Sequence, residues 1–175
     1  MTATTSQPQS SAPVLVPAGA NPLIDLGDHR ARVLMSAQSV GGAYALIDVN
    51  ADRDAHVTPH VHRREDETFF ILNGRFELEV AGKTIEAGPD DTVFAPRDSV
   101  HQWRCVSPDG GRALVLITPG ANFEAFGIAM AQQRFVPSAA MADPSLAPAF
   151  IALCARYGIE MLPADATRGE RNADR

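Results

Sequence analysis

The chain has 175 residues, 45% of them hydrophobic, and a formal net charge of −6 at pH 7. That is one domain's worth of chain with apolar residues enough for one core. No apolar run approaches the roughly 20 residues of a membrane-spanning helix, and no Lys/Arg stripe offers a footprint for nucleic acid.

The N-terminal "MTATTSQPQSSAPVLVPAGA" lacks the basic flank and apolar stretch of a secretion signal. Two cysteines do not make a disulfide framework, so a cytoplasmic protein is expected. Residues 1 to about 13 are Ser, Thr, Gln and Pro, too polar to pack. A flexible arm is expected over residues 1–20. A barrel domain is expected over 21–120, within which residues 30 to 118 read as short strands broken by turn residues. "YALIDV" follows Gly41-Gly42, and "TFFILNGRFELEV" is two apolar runs hinged at Asn73-Gly74, a strong hairpin signal. Phe76, Leu78 and Val80 alternate with Glu77 and Glu79, which gives one buried and one wet face. "AGKTI" supplies a turn, and "DTVFAP", "HQWRCV" and "RALVLITP" complete the set. Strands this short and this frequent predict an all-β sandwich or barrel.

After Pro119-Gly120 the period changes. "NFEAFGIAMAQQ" carries apolar residues at helical spacing: Phe123, Phe126 and Met130. A later helix is predicted to start with Asp143 as N-cap and Pro144 at its first position. Its stripe is Leu146, Phe150, Leu153 and Tyr157, and Gly158 stops it. The expectation is a helical extension over 121–163, one or two helices packed on the barrel, and a disordered tail over 164–175.

The chemistry lies in "PHVHRREDETFFILNG", residues 59–74. Side chains two apart on a strand share a face, so His60 and His62 project together, able to hold one metal ion at about 2.1 Å from each nitrogen. Glu67 shares a face with Phe69 and Ile71 and points inward with them. A carboxylate inside a barrel is costly unless a cation pairs with it. Of the three other histidines, His29 lies in a polar stretch and His56 in a loop. His101 opens a strand with Trp103 and Cys105 on its own face. The predicted metal ligands are therefore His60, His62, Glu67 and His101. Arg63, Arg64, Glu65 and Asp66 read as a solvated loop.

These residues resemble the cupins. The first cupin motif, G-x5-H-x-H-x(3,4)-E-x6-G, is matched from His60 through His62 and Glu67 to Gly74, with Asp54 at the leading Gly. The second, G-x5-P-x-G-x2-H-x3-N, fits in spacing at Pro96 and His101. Asp90, Asp98 and Cys105 stand where that motif has Gly, Gly and Asn. Asp is tolerated in turns. The resemblance, over about residues 25 to 120, implies a double-stranded β-helix (jelly-roll) barrel holding one divalent transition metal with three His and one Glu. The segment from "GANFEAF" to "FIALCARYGIEML" is similar to the tail of bacterial single-domain cupins of the quercetin 2,3-dioxygenase type, whose helices pack near the barrel mouth.

Such a ligand set leaves open positions on the metal, hence chemistry. With iron, manganese, nickel or cobalt the expected reaction is activation of a chelated hydroxylated or enolic substrate toward O2, with Glu67 as ligand and base. With zinc it is Lewis-acid isomerase, cyclase or lyase chemistry. A non-catalytic binding cupin is the third reading. The expected pocket wall is Phe69, Ile71, Phe76, Leu78, Trp103, Cys105 and Leu116, capped by Phe123 and Phe126, an apolar lining that suits a flat aromatic compound. The resemblance also implies a homodimer, with residues 14–26 as a candidate exchanged strand.

Overall fold

Period-two alternation of apolar side chains turns residues 24–118 into strands, and turn residues divide them. The computed structural model describes residues 13–163 and Ala166. One antiparallel sheet holds β1 (Ile24–Asp25), β2 (His29–Met35), β3 (Ala45–Ala51), β5 (Asp66–Asn73), β8 (Thr92–Ala95) and β10 (Gly111–Thr118), in the spatial order β1-β2-β3-β10-β5-β8. The other holds β4 (His56–His62), β6 (Phe76–Val80), β7 (Lys83–Ala87), β9 (His101–Cys105) and β11 (Ile159–Met161), in the order β11-β4-β9-β6-β7. The two sheets form a jelly roll. Helices α1 (Ala121–Gln132), α2 (Pro137–Ala142) and α3 (Ala147–Arg156) follow it.

The pleat decides what is buried. Ala113, Val115 and Ile117 of β10 face inward, as do Phe76, Leu78 and Val80 of β6. With Phe69, Ile71 and Trp103 they form the barrel core, each large side chain contributing about 1.5–3 kcal/mol by burial. The hairpin expected at Asn73-Gly74 joins β5 to β6, with Gly74 at φ 77°. A Cβ there would lie 2.5 Å from the Gly110 carbonyl oxygen, so only glycine fits. Asp54, Asp90 and Asp98, which replace motif glycines, sit at φ 64°, 72° and 64°. They occupy the left-handed region that Asp tolerates better than most residues.

A second cluster joins Leu26, Phe126, Met130, Phe150, Leu153, Cys154 and Ile159 beneath the helices. Here three expectations need correction. Asp143 is not the cap of α3. It follows α2, and its Oδ1 accepts from Ser145 N at 2.8 Å and Ser145 Oγ at 2.7 Å. This local Asx turn satisfies the carboxylate before a helix can use it, and α3 starts at Ala147 with Pro148 in its first turn. Leu146 thus drops out of the stripe and is exposed, while Phe150, Leu153 and Cys154 carry the burial. The structure also adds α2 and β11. Gly158 lies just past the end of α3 at φ 76°, as expected.

β11 hydrogen-bonds to β4 with Ile159 opposite His62 and Met161 opposite His60. Within this chain Ile24 of β1 pairs with Ala31 of β2. Leu15, in the segment expected to exchange, is 86% exposed. The flexibility expected of residues 1–12 and of the C-terminal tail concerns segments outside the described residues. Among the described residues no helix is long and apolar enough to cross a membrane.

Candidate metal centre

β4 and β9 place their inward side chains side by side, with His60 opposite His101 in register. β5, in the facing sheet, supplies Glu67. One ligand atom from each of His60, His62, Glu67 and His101 lies within 4.8 Å of the other three, and all four residues are buried. The imidazole planes of His60 and His101 are 4.3 Å apart at their centroids. The His101 Nε2 lies 2.9 Å from Glu67 Oε2, and His101 Nδ1 lies 3.1 Å from the Ser99 carbonyl oxygen. The His60 Nδ1 lies 2.8 Å from the Thr58 carbonyl oxygen. A carbonyl can only accept, so His60 donates through Nδ1 and keeps Nε2 as a ligand.

Electrostatics agree with this. Burial, then the neighbouring His101 and His62, holds His60 well below its ordinary value, so it is a neutral donor. Burial opposes ionisation of Glu67, but the His101 hydrogen bond and the nearness of the site histidines outweigh it and hold the carboxyl at about 2. Burial likewise disfavours charge on His101, but the Glu67 bond and charge win and raise it. The proton shared by Glu67 and His101 is the one a cation would displace. Three imidazoles and a carboxylate, buried and converging, fit a divalent transition metal.

A cavity of about 160 Å³ lies between the barrel and the helices, with His60, His62 and Glu67 on its wall. Phe69, Trp103, Phe123 and Phe126 line it, and so do Met130 and Phe150. The remaining expected wall residues lie elsewhere. Ile71, Phe76, Leu78 and Cys105 are fully enclosed in the barrel core. Leu116 points to the other face of β10, where the pleat puts it, and Val115 takes the inward position. Cys154, expected to be structural, is fully buried at the cavity edge, and burial pushes its thiol up to about 12. It is not a nucleophile.

Two groups passed over in the sequence matter here. His29 is buried and lines the cavity, its ring edge-on to Trp103 at 5.3 Å. Its Nδ1 lies 2.7 Å from Asp28 Oδ1. The alternation of His29, Ala31 and Val33 with Arg30 and Arg32 is the strand signal that would have turned this histidine inward. Glu65, expected in a solvated loop, is 1% exposed. Its Oε1 accepts from Asn122 Nδ2 at 2.5 Å. No sequence pattern marks it, because the cover over Glu65 comes from α1, 57 residues away.

Residues 49–117 match the cupin-domain family. Among curated proteins, quercetin 2,3-dioxygenase of Bacillus subtilis is 25% identical over 100 residues, covering 57% of this chain and 30% of that protein. Polyketide synthase CurC of Streptomyces cyaneus is 24% identical over 97 residues, covering 55% and 63%. The matches thus span less than two thirds of either relative. Among solved structures, KdgF from Halomonas sp. superposes with a TM-score of 0.55 at 23% identity, covering 62% of this chain and 94% of that one. The family match over residues 49–117 falls on the very strands that carry the ligands, so this part of the chain is similar to the cupin domain, and its jelly roll is the fold of the solved KdgF structure.

Proposed function

We propose that this protein is a metal-dependent enzyme, an oxygenase that acts on a small hydroxylated or enolic aromatic compound. The observation that carries the reading is the convergence of four buried ligand residues, three of which, His60, His62 and Glu67, line an apolar cavity. The metal, iron, manganese, nickel or cobalt, supplies Lewis acidity and open positions for a chelating oxygen group and for O2. The chain does the rest. Phe69, Trp103, Phe123 and Phe126 offer flat apolar surface that excludes water. The proton between Glu67 Oε2 and His101 Nε2 would leave on metal binding, which frees both groups as ligands. Asp28 fixes His29 through Nδ1, which leaves Nε2 of that ring to take a proton from a substrate hydroxyl. Similarity to the B. subtilis dioxygenase supports the redox reading.

The similarity to CurC favours a second reading, cyclase, isomerase or lyase chemistry with zinc in the same site. The test is elemental analysis of the purified protein beside His101→Ala, followed by O2 uptake with flavonols, enediols and β-diketones. Near-stoichiometric redox metal, lost in the variant, with O2 consumed supports the oxygenase. Zinc, with turnover that needs no O2, supports the second reading. No metal in either protein after reloading removes both.

A further inference from the structure

We propose that Glu65 is a positioning residue of the metal centre. It holds the Nδ1–H tautomer of His62 and supplies the second negative charge that a divalent ion needs in this interior. The proposal rests on the metal reading above.

Each site imidazole has its Nδ1 facing an acceptor. For His60 and His101 that acceptor is a neutral backbone carbonyl two residues back, Thr58 and Ser99. His62 has none of this kind. Its Nδ1 instead faces Glu65 Oε2 at 3.5 Å. Both atoms are buried without a hydrogen-bond partner, and they face one another at that distance. Buried unpaired polar atoms cost about 1–3 kcal/mol each, so two of them facing one another mark a bond that closes with a small movement. Closing it requires a proton on Nδ1, which leaves the Nε2 lone pair for the metal. Carboxylate-to-imidazole bonds of this kind orient metal ligands generally.

The carboxylate is itself held. Asn122, at the start of α1, donates through Nδ2 to Glu65 Oε1 at 2.5 Å and to the Tyr157 carbonyl at 2.7 Å. Its Oδ1 accepts from Arg64 Nη1 at 2.9 Å. Glu65 therefore cannot swing out, and the seat of α1 becomes part of the support of His62. The charges also balance: three neutral imidazoles, two carboxylates and one divalent ion sum to zero, whereas Glu67 alone would leave a buried net positive charge.

Glu65→Gln tests this with little change of shape. Asn122 still needs an acceptor, so the Gln carbonyl takes its bond and the amide group turns toward His62 Nδ1. A donor then meets Nδ1, and the ring must shift to the Nε2–H tautomer, which cannot ligate through Nε2. Two readouts are used: the His62 tautomer in metal-free protein, from ¹⁵N NMR of the imidazole at alkaline pH, and Co(II) affinity with its visible spectrum, from titration against a competing chelator. The expected result is Nδ1–H in the wild type, Nε2–H in Glu65→Gln, a roughly 10- to 100-fold loss of Co(II) affinity, and a shifted Co(II) spectrum, with metal-free melting unchanged. Asn122→Ala, which frees Glu65 without altering it, moves both readouts the same way by less, and decides the matter if the first variant does not fold. An unchanged tautomer with unchanged affinity overturns the proposal, as does weakened affinity that merely follows loss of folded protein. If the wild type binds no Co(II), the metal reading fails, and the tautomer still decides the bond to Glu65.

Discussion

Truncating Phe150 tests whether the helices and the barrel form one unit. Phe150 is 2% exposed in the cluster under α3, packs against Phe135 at a ring distance of 5.4 Å and reaches the cavity. Phe150→Ala removes a whole ring from this site, and a buried Phe→Ala change costs about 3–5 kcal/mol. For a chain this size each kcal/mol lowers Tm by about 2–4 °C, so a drop of roughly 6–20 °C is expected. The single tryptophan, Trp103, lies in the barrel and reports on it by fluorescence. Far-UV circular dichroism follows the helices. β11 is hydrogen-bonded to β4, and Phe123 packs on both clusters. Both probes should therefore fall in one urea transition at a lower midpoint. If the helical signal melts early while the Trp103 midpoint stays in place, the helices are a separate unit and the reasoning fails.

In metal-free protein the site also sets a pH optimum. His101 is raised above 6.5, so its contribution is present below 6.5 and lost as pH climbs through its folded value. His60 is lowered below 6.5, so its contribution is present above 6.5 and lost as pH falls. Glu67, held at about 2 from 4.5, loses its share between these values. The urea midpoint should peak near pH 6.5, and His101→Ala should flatten the alkaline side; a steady rise from 6.5 to 8.5 would contradict this. Gly74→Ala forces an L side chain to φ 77° against the Gly110 carbonyl, and should lose about 2 kcal/mol or more in chemical denaturation. Once a substrate is in hand, His29→Asn should lower kcat by roughly 10²- to 10⁴-fold with metal content unchanged; parallel loss of metal would make His29 structural instead.

Much of this was legible because strands are read by parity. One glance at His60, His62, Glu67, Phe69 and Trp103 assigns a face, and the His101 spacing adds β9, the strand beside β4. Asn73-Gly74 announces its own turn through backbone sterics. What parity does not give is depth and cover. Leu116 failed by a single step of the pleat. Ile71, Phe76, Leu78 and Cys105 point inward as read, but inward is core there: they pack in the barrel cluster and do not reach the cavity. Glu65 sits in a charged run whose local pattern says solvent, and only α1, distant in sequence, buries it. Asp143 offered a helix cap, and a two-residue turn claimed its oxygen first.

The pairing of β11 with β4 has a consequence for how the protein comes into being. The strand that presents His60 and His62 emerges from synthesis about a hundred residues before the strand that covers its edge. Until β11 arrives, β4 shows an unpaired row of backbone donors and acceptors beside two ligands, and that edge is open to other chains. Contacts of such long sequence separation form late. β11 thus works as a latch: neither the sheet nor the wall behind His62 closes before residues 159–161 have been made, so a premature stop anywhere before residue 159 would release a barrel with an open edge and an unfinished site.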